Sequence, residues 1–317
     1  MSVPVLLIIF NRPELTRRTL EAIARAKPQT LLVAADGARF PEELDRCEQA
    51  RELIRRIDWN CDVITNFSDT NLGCGIRVYT AIDWAMSQHE ELIILEDDCI
   101  PSTSFFRFCE ELLAYYRDDK RVMHIGGNNF QFGHNKTPYS YYFSKYFHVG
   151  SFATWRRAWK YFDWSIGQWP ILKEAGLVQS ICSDPHEQRY WTNVFEHVHR
   201  GRRDIWDYQW TFTCWAQNGL AITPSSNLVT NVGTGPDATH TKDASRLFNL
   251  PSSEIQEIEH PPFVIRNHLA DEYAFLNNYG GRQMKEADAW PARWKKKVRP
   301  LSLPIRAARK VWRLVNS

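Results

Sequence analysis

The sequence predicts an α/β fold, a Rossmann-like, mixed but mainly parallel sheet flanked by helices, and three observations predict it. Short apolar runs at Val5 to Phe10, Thr30 to Ala35 and Leu92 to Leu95 have the length and unbroken apolarity of strands covered on both faces. Segments of helical periodicity separate them. Each run ends in turn-forming or acidic residues: Asn11-Arg12-Pro13, Asp36-Gly37 and Glu96-Asp97-Asp98. Strands alternating with helices need right-handed crossovers and so pair in parallel. With 317 residues, 44% of them hydrophobic, the chain can bury such a sheet.

In order, Asn11-Arg12-Pro13 punctuates the first strand before a helix whose Leu15, Thr19, Ala22, Ile23 and Ala26 share a face. Thr30 to Ala35 is the second strand, and Pro41 to Ile57 is a helix turning Cys47, Ala50, Ile54 and Ile57 inward. Asp62 to Thr65 reads as a short third strand, Asn71 to Gly75 as a loop, and Ile76 to Met86 as the helix leading to the fourth strand. Phe105 to Tyr116 is a helix and Arg121 to Gly126 a strand. Beyond these the texture changes. Eight of the 13 tryptophans fall between Trp155 and Trp215, on segments read as helices over about Ala153 to Phe162, Glu187 to Arg200 and Asp204 to Asn218. Most of these rings suit a core, and a few exposed ones would suit stacking on sugar. The reading is a first half over 1–130, an aromatic-rich second half over 131–260 and a C-terminal extension over 261–317, with Pro224 to Thr241 as a functional or lid loop.

Seven scattered cysteines without a CxxC pair argue against a disulfide framework and a structural zinc site, and favour a reducing cytoplasm. The first apolar run is far shorter than a membrane span. Net charge is +2, but nine bases follow Asp288 with no acid among them, which leaves the preceding body at −7. That body is no nucleic-acid surface. From Pro304 onward, Ile305, Ala308, Val311, Trp312 and Val315 form one stripe of a helix and Arg306, Arg309, Lys310 and Arg313 the other. This pattern suits an anionic membrane surface, or packing on the acidic body.

The acids at the end of the fourth strand occupy the place where ligands of open α/β sheets bind. Carboxylates this close call for protonation, a basic partner or a hard divalent cation shared with phosphate oxygens. Asp36, ending the second strand, can reach a ribose or base edge, or serve only as a turn former. Gly73-Cys74-Gly75 can offer backbone N–H groups to a diphosphate, with Arg77 as charge partner. The chain lacks the third glycine of a dinucleotide fingerprint and the Gly-Lys-Ser/Thr of a P-loop, as well as HExxH, GxSxG and the kinase motifs. His240 is either a solvated loop histidine or a group that closes over the diphosphate or ligates a metal.

Taken in order, Phe10-Asn11-Arg12-Pro13, Asp36-Gly37, Asn71-Leu72-Gly73 and Leu95-Glu96-Asp97-Asp98 resemble the nucleotide-sugar half of a GT-A-fold glycosyltransferase. The acid triplet looks like that of N-acetylglucosaminyltransferase I. Ala153 to Trp159 and Trp206 to Trp210 resemble bacterial family-2-type transferases of surface-polysaccharide assembly. The resemblance implies that Asp36 contacts the nucleoside, Asp97 the ribose, and Glu96 the donor sugar or ordered water. Asp98 would hold Mn²⁺ or Mg²⁺ at the diphosphate, with Asn11, Arg12, Asn71, Gly73 and Arg77 completing the donor site. Two departures stand out: the triplet is not a literal Asp-x-Asp, and Gly150-Ser151-Phe152 stands where relatives carry more tryptophan.

An inverting transfer needs a carboxylate near the acceptor hydroxyl, and Asp207, between Trp206 and Trp210, is the candidate general base. Its alternative role is an ion pair with Arg202 or Arg203. The expected activity is metal-dependent transfer of a sugar from a nucleoside diphosphate, UDP favoured, to a glycan acceptor, lipid-linked if the tail binds a membrane. The rivals are a sugar-phosphate nucleotidyltransferase, which normally carries a glycine- and basic-rich loop after its first strand, and a non-catalytic nucleotide- or glycan-binding module. The expected location is cytoplasmic, peripheral on the inner face of the membrane if the tail docks there.

Overall fold

A computed structural model describes residues 1–201, 205–234 and 246–297. In chain order, β1 (Val5–Ile9), α1 (Pro13–Ala26), β2 (Thr30–Ala35), α2 (Leu44–Arg55), β3 (Asp62–Phe67), α3 (Cys74–Gln88) and β4 (Glu91–Glu96) form the alternating half. Next come β5 (Cys99–Pro101), α4 (Thr103–Tyr115), β6 (Val122–Gly126), β7 (Tyr141–Ser144) and β8 (Ser151–Trp155). Helices α5 (Arg156–Trp159), α6 (Trp169–Glu174), α7 (Leu177–Ile181), α8 (Pro185–His199) and α9 (Asp207–Ala216) lead to β9 (Leu220–Pro224) and β10 (Val229–Asn231). Two more helices follow, α10 (His268–Asn278) and α11 (Gly281–Lys297).

Eight strands make one mixed sheet in the order β3-β2-β1-β4-β8-β6-β9-β7, and β10 pairs with β5 in a separate ribbon. This is the Rossmann-like, mixed but mainly parallel sheet flanked by helices that the sequence predicts. β1 to β4 are mutually parallel, with Leu7 beside Leu95 and Ile8 beside Glu96. Alternation along each strand fills two cores. Leu6, Ile8, Leu92 and Ile94 pack with α3, α8 and α9 on one face. Val5, Leu7, Ile93 and Leu95 pack with α1, α2 and α4 on the other.

One predicted helix is a strand. The stretch Ser151–Trp155, expected to be helical from Ala153 onward, lies between β4 and β6 and runs antiparallel to both. All five residues are buried between the two helical layers, so they show no polar-apolar alternation, and only the short α5 after them is helical. Of the eight tryptophans from Trp155 to Trp215, seven are buried and Trp164 is partly covered, so the rings are mainly core. Within the expected lid loop, Val229–Asn231 is a strand, and residues 235–245 lie outside the described residues. All seven cysteines are free thiols. Among the described residues no helix is long and apolar enough to cross a membrane.

Candidate active site

β4 delivers Glu96 to the carboxyl edge of the sheet, and Asp97 and Asp98 form the turn into β5. Because β5 pairs with β10, the acids stand where the main sheet gives way to the ribbon. Three backbone ties fix them: Thr19 Oγ1 donates to the Asp97 carbonyl at 2.8 Å, Val232 N to the Asp98 carbonyl at 2.9 Å, and Glu96 N to the Gly150 carbonyl at 2.9 Å. Arg12, just ahead of Pro13 at the start of α1, spans two of the carboxylates. Its Nη1 donates to Asp98 Oδ2 at 2.9 Å and its Nη2 to Asp97 Oδ1.

The crowding shows in proton affinity. Burial, then the Asp98 charge, push the Glu96 carboxyl up to about 8 against the pull of Arg12, with smaller contributions from Asp97 and Asp207. Burial pushes Asp97 up to about 6, again opposed by Arg12. Burial works against the charge of Arg12, yet Asp97 and Asp98 together hold its guanidinium above the ordinary value.

Asp36 is buried at the end of β2 and its carboxylate ties down the neighbouring loop. Oδ1 accepts from Gly37 N at 3.0 Å and Leu72 N at 2.9 Å, while Oδ2 accepts from Asn71 Nδ2 at 3.0 Å and Gly73 N at 3.2 Å. Burial raises its carboxyl above the ordinary value despite these bonds. Asp36, Asn71, Gly73, Arg77, Arg12, Glu96 and Asp97 share the wall of one cleft of about 170 Å³, floored by Ile8, Ile9 and Val78. Arg77 binds Asn66 through Nη2, and its buried Nε has no partner among the described residues. Asn11 Nδ2 donates to Glu43 Oε1 at 2.9 Å, and Glu43 also pairs with Arg39, whose guanidinium lies over the Phe10 ring at 5.3 Å. Arg39 and Glu43 were not foreseen; the helical pattern marked only the apolar face of their segment.

Asp207 opens α9 next to the buried Trp206, and its charge is among those that raise the proton affinity of Glu96. Although 111 residues apart in sequence, Asp207 lies close enough for its charge to make a minor contribution to the rise of Glu96. A histidine that stands in no motif, His124, holds α9 in place. Trp210 Nε1 donates to His124 Nδ1 at 3.2 Å, and His124 Nε2 lies 3.1 Å from the His148 carbonyl oxygen, so the accepting Nδ1 leaves Nε2 as the donor. Burial, and secondarily His148, push His124 down to about 3, so the ring is neutral. His240, Arg202 and Arg203 lie outside the described residues.

The donor chemistry at Glu96, Asp97 and Asp98 suits a hard cation, since three carboxylates face a single guanidinium. Among the described residues no three His, Cys, Asp or Glu side chains are placed to hold a metal ion by themselves. A Mg²⁺-type ion needs only one or two carboxylates when phosphate and water supply the rest, so Asp98 fits that use. A wider groove of about 610 Å³ lies at the other end of β4, near Ser2, Glu91 and Arg117, away from the carboxyl edge where α/β sheets bind ligands.

In class, then, this is an α/β protein with a mixed, mainly parallel sheet and an acid-lined cleft at its carboxyl edge. No protein-family model and no curated protein matches the chain. Among solved structures it is similar to mouse xyloside xylosyltransferase 1 in its apo form, at 14% identity and a TM-score of 0.34, over 67% of this chain and 81% of that one. It is similar to 4-diphosphocytidyl-2C-methyl-D-erythritol synthase from Anaerococcus prevotii at 9% identity and a TM-score of 0.33, over 50% and 74%. A UDP-glucose pyrophosphorylase complexed with UDP-glucose shares 9% identity at a TM-score of 0.29, over 51% and 79%. Likenesses this distant carry no argument about activity, which rests on the site.

Proposed function

We propose that the protein is a glycosyltransferase that moves a sugar from a nucleoside diphosphate, UDP in preference, to an acceptor hydroxyl with inversion. The observation that supports this reading best is the gathering of Glu96, Asp97 and Asp98 around Arg12 beside a cleft walled by the Asp36 loop, with Asp207 near enough for its charge to add to the rise of Glu96. In this reading the nucleoside lies in the cleft, between the Asp36 loop, Asn11 and Arg77, and Asp97 meets the ribose. Glu96, protonated near neutral pH, donates toward the sugar or an ordered water. Asp98, together with His240, would hold Mn²⁺ or Mg²⁺, whose chemistry here is to neutralise charge gathering on the leaving diphosphate. Asp207 takes the acceptor's proton as its oxygen attacks the anomeric carbon opposite the leaving group. The glycan enters from the aromatic-rich half, and the basic stripe of residues 304–317 would bring the enzyme to an anionic membrane carrying a lipid-linked acceptor.

A nucleotidyltransferase reading is less well supported, because β1 passes through Asn11-Arg12-Pro13 directly into α1 and leaves no glycine-rich phosphate loop. Incubation of purified protein with UDP-sugars and Mn²⁺ tests the proposal. UDP release is expected, and Asp207→Asn should lower turnover by ~10²–10⁴ with donor affinity nearly unchanged. Pyrophosphate release from a nucleoside triphosphate and a sugar phosphate, without any UDP release, would replace this reading with the rival one.

A further inference from the structure

We propose that Arg12 is an exchangeable counter-ion: it pairs with Asp98 and gives it up when a divalent cation and a diphosphate arrive together. The inference rests on the glycosyltransferase reading and adds to it a dependence of cation binding on nucleotide.

One planar guanidinium spans both carboxylates, with side-chain exposures of 15% for Arg12, 2% for Asp97 and 11% for Asp98. Both oxygens of Asp98 have a neighbour besides Arg12. Its Oδ1 faces the Cys99 thiol at 3.5 Å, and Gly233 sits so close that a Cβ there would stand 1.9 Å from Oδ2. A cation seeking Oδ2 therefore competes with Arg12 Nη1 for the same oxygen. Displacing the guanidinium alone would strand a largely buried charge, which is costly. A diphosphate removes that cost, because it gives the cation oxygen ligands and gives Arg12 a new anionic partner. The backbone permits the swing. Arg12 O accepts from Thr16 N at 2.9 Å and Thr16 Oγ1 at 3.0 Å, so the main chain stays pinned to α1 while the side chain borders the open cleft.

The test is titration of MnCl₂ into wild type, Arg12→Gln and Arg12→Lys, with free Mn²⁺ read by electron paramagnetic resonance, with and without UDP. Wild type should bind Mn²⁺ weakly alone and at least about tenfold more tightly with saturating UDP. Without UDP, Arg12→Gln should bind Mn²⁺ about 10–100-fold more tightly than wild type, the equivalent of one charged hydrogen bond no longer in competition, and UDP should add less. Arg12→Lys keeps a cation for folding but cannot span two carboxylates, and should fall between. Equal Mn²⁺ affinity of wild type and Arg12→Gln without UDP overturns the exchange, as does absence of Mn²⁺ binding to wild type with UDP present. Calorimetry of UDP on the same samples separates the two readings. UDP bound without the predicted Mn²⁺ behaviour sinks the exchange alone, whereas no UDP binding sinks the glycosyltransferase reading with it.

Discussion

Glu96 is placed by Gly150: the Glu96 amide donates to the Gly150 carbonyl at 2.9 Å, and Gly150 holds φ at +95°. A Cβ there would sit 3.3 Å from Cys99 Sγ and 3.9 Å from Glu96 Oε1, in a backbone region that favours glycine. Gly150→Ala should cost about 1–3 kcal/mol in denaturant unfolding. Unchanged stability would show that the 148–150 segment is not strained around the acids.

Asp36 should matter to the fold before it matters to any ligand. In Asp36→Ala, Gly37 N, Leu72 N and Gly73 N lose their acceptor while Asn71 Nδ2 keeps the Gly37 carbonyl, at about 1–3 kcal/mol for each donor that water does not reach. We expect a loss of at least about 2 kcal/mol by urea denaturation, with a smaller loss for Asp36→Asn, which retains one acceptor oxygen. If Asp36→Ala weakened UDP binding at full stability, the residue would contact the nucleoside directly rather than through its loop.

The alternating half was legible because each of its strands carries its own signal: an apolar run covered on both faces, closed by a turn residue. β3 was seen as Asp62 to Thr65 but cut short, since the polar Asn66 ends the apolar run while pairing with Ala34 carries the strand on to Phe67. β8 was not legible. Its five buried residues owe their conformation to β4 and β6, both distant in sequence, and the Trp-Arg-Arg-Ala-Trp that follows carries a true helical signal that local reading extended backward. The acids were found from their place at a strand end. The grip of Arg12 on Asp97 and Asp98 could not be found that way, because it joins chain segments 85 and 86 residues apart. For Asp36 the sequence left a local turn role and a nucleoside role open, and the bonds to the 71–73 loop, 35 to 37 residues away, are a fastening that neither reading included.

Glu96 makes stability depend on pH in a way one substitution isolates. Its folded value, about 8, lies above the ordinary 4.5, so the folded protein keeps a proton that the unfolded chain has lost. The stability this group contributes is full below about 4.5 and is lost as pH rises toward 8. Gln keeps the shape of the protonated acid without its charge. In metal-free buffer Glu96→Gln should match wild type near pH 5 and become progressively more stable by pH 8.5, gaining at most about 1.4 kcal/mol per pH unit. A constant difference between the two proteins across that range would mean that Glu96 ionises normally.

The central claim is that a nucleoside diphosphate binds at the carboxyl edge of β4 with Asp98 at its phosphates, and calorimetric titration of UDP into wild type and Asp98→Ala, each with Mn²⁺, tests it most directly. Asp98 has little exposure but is anchored through its backbone, so the variant should fold, which circular dichroism of the same samples verifies. The account predicts a UDP complex in wild type that weakens by at least about 100-fold in Asp98→Ala, since the substitution removes an electrostatic contribution of several kcal/mol at the diphosphate. Equal UDP affinity in the two folded proteins would contradict it.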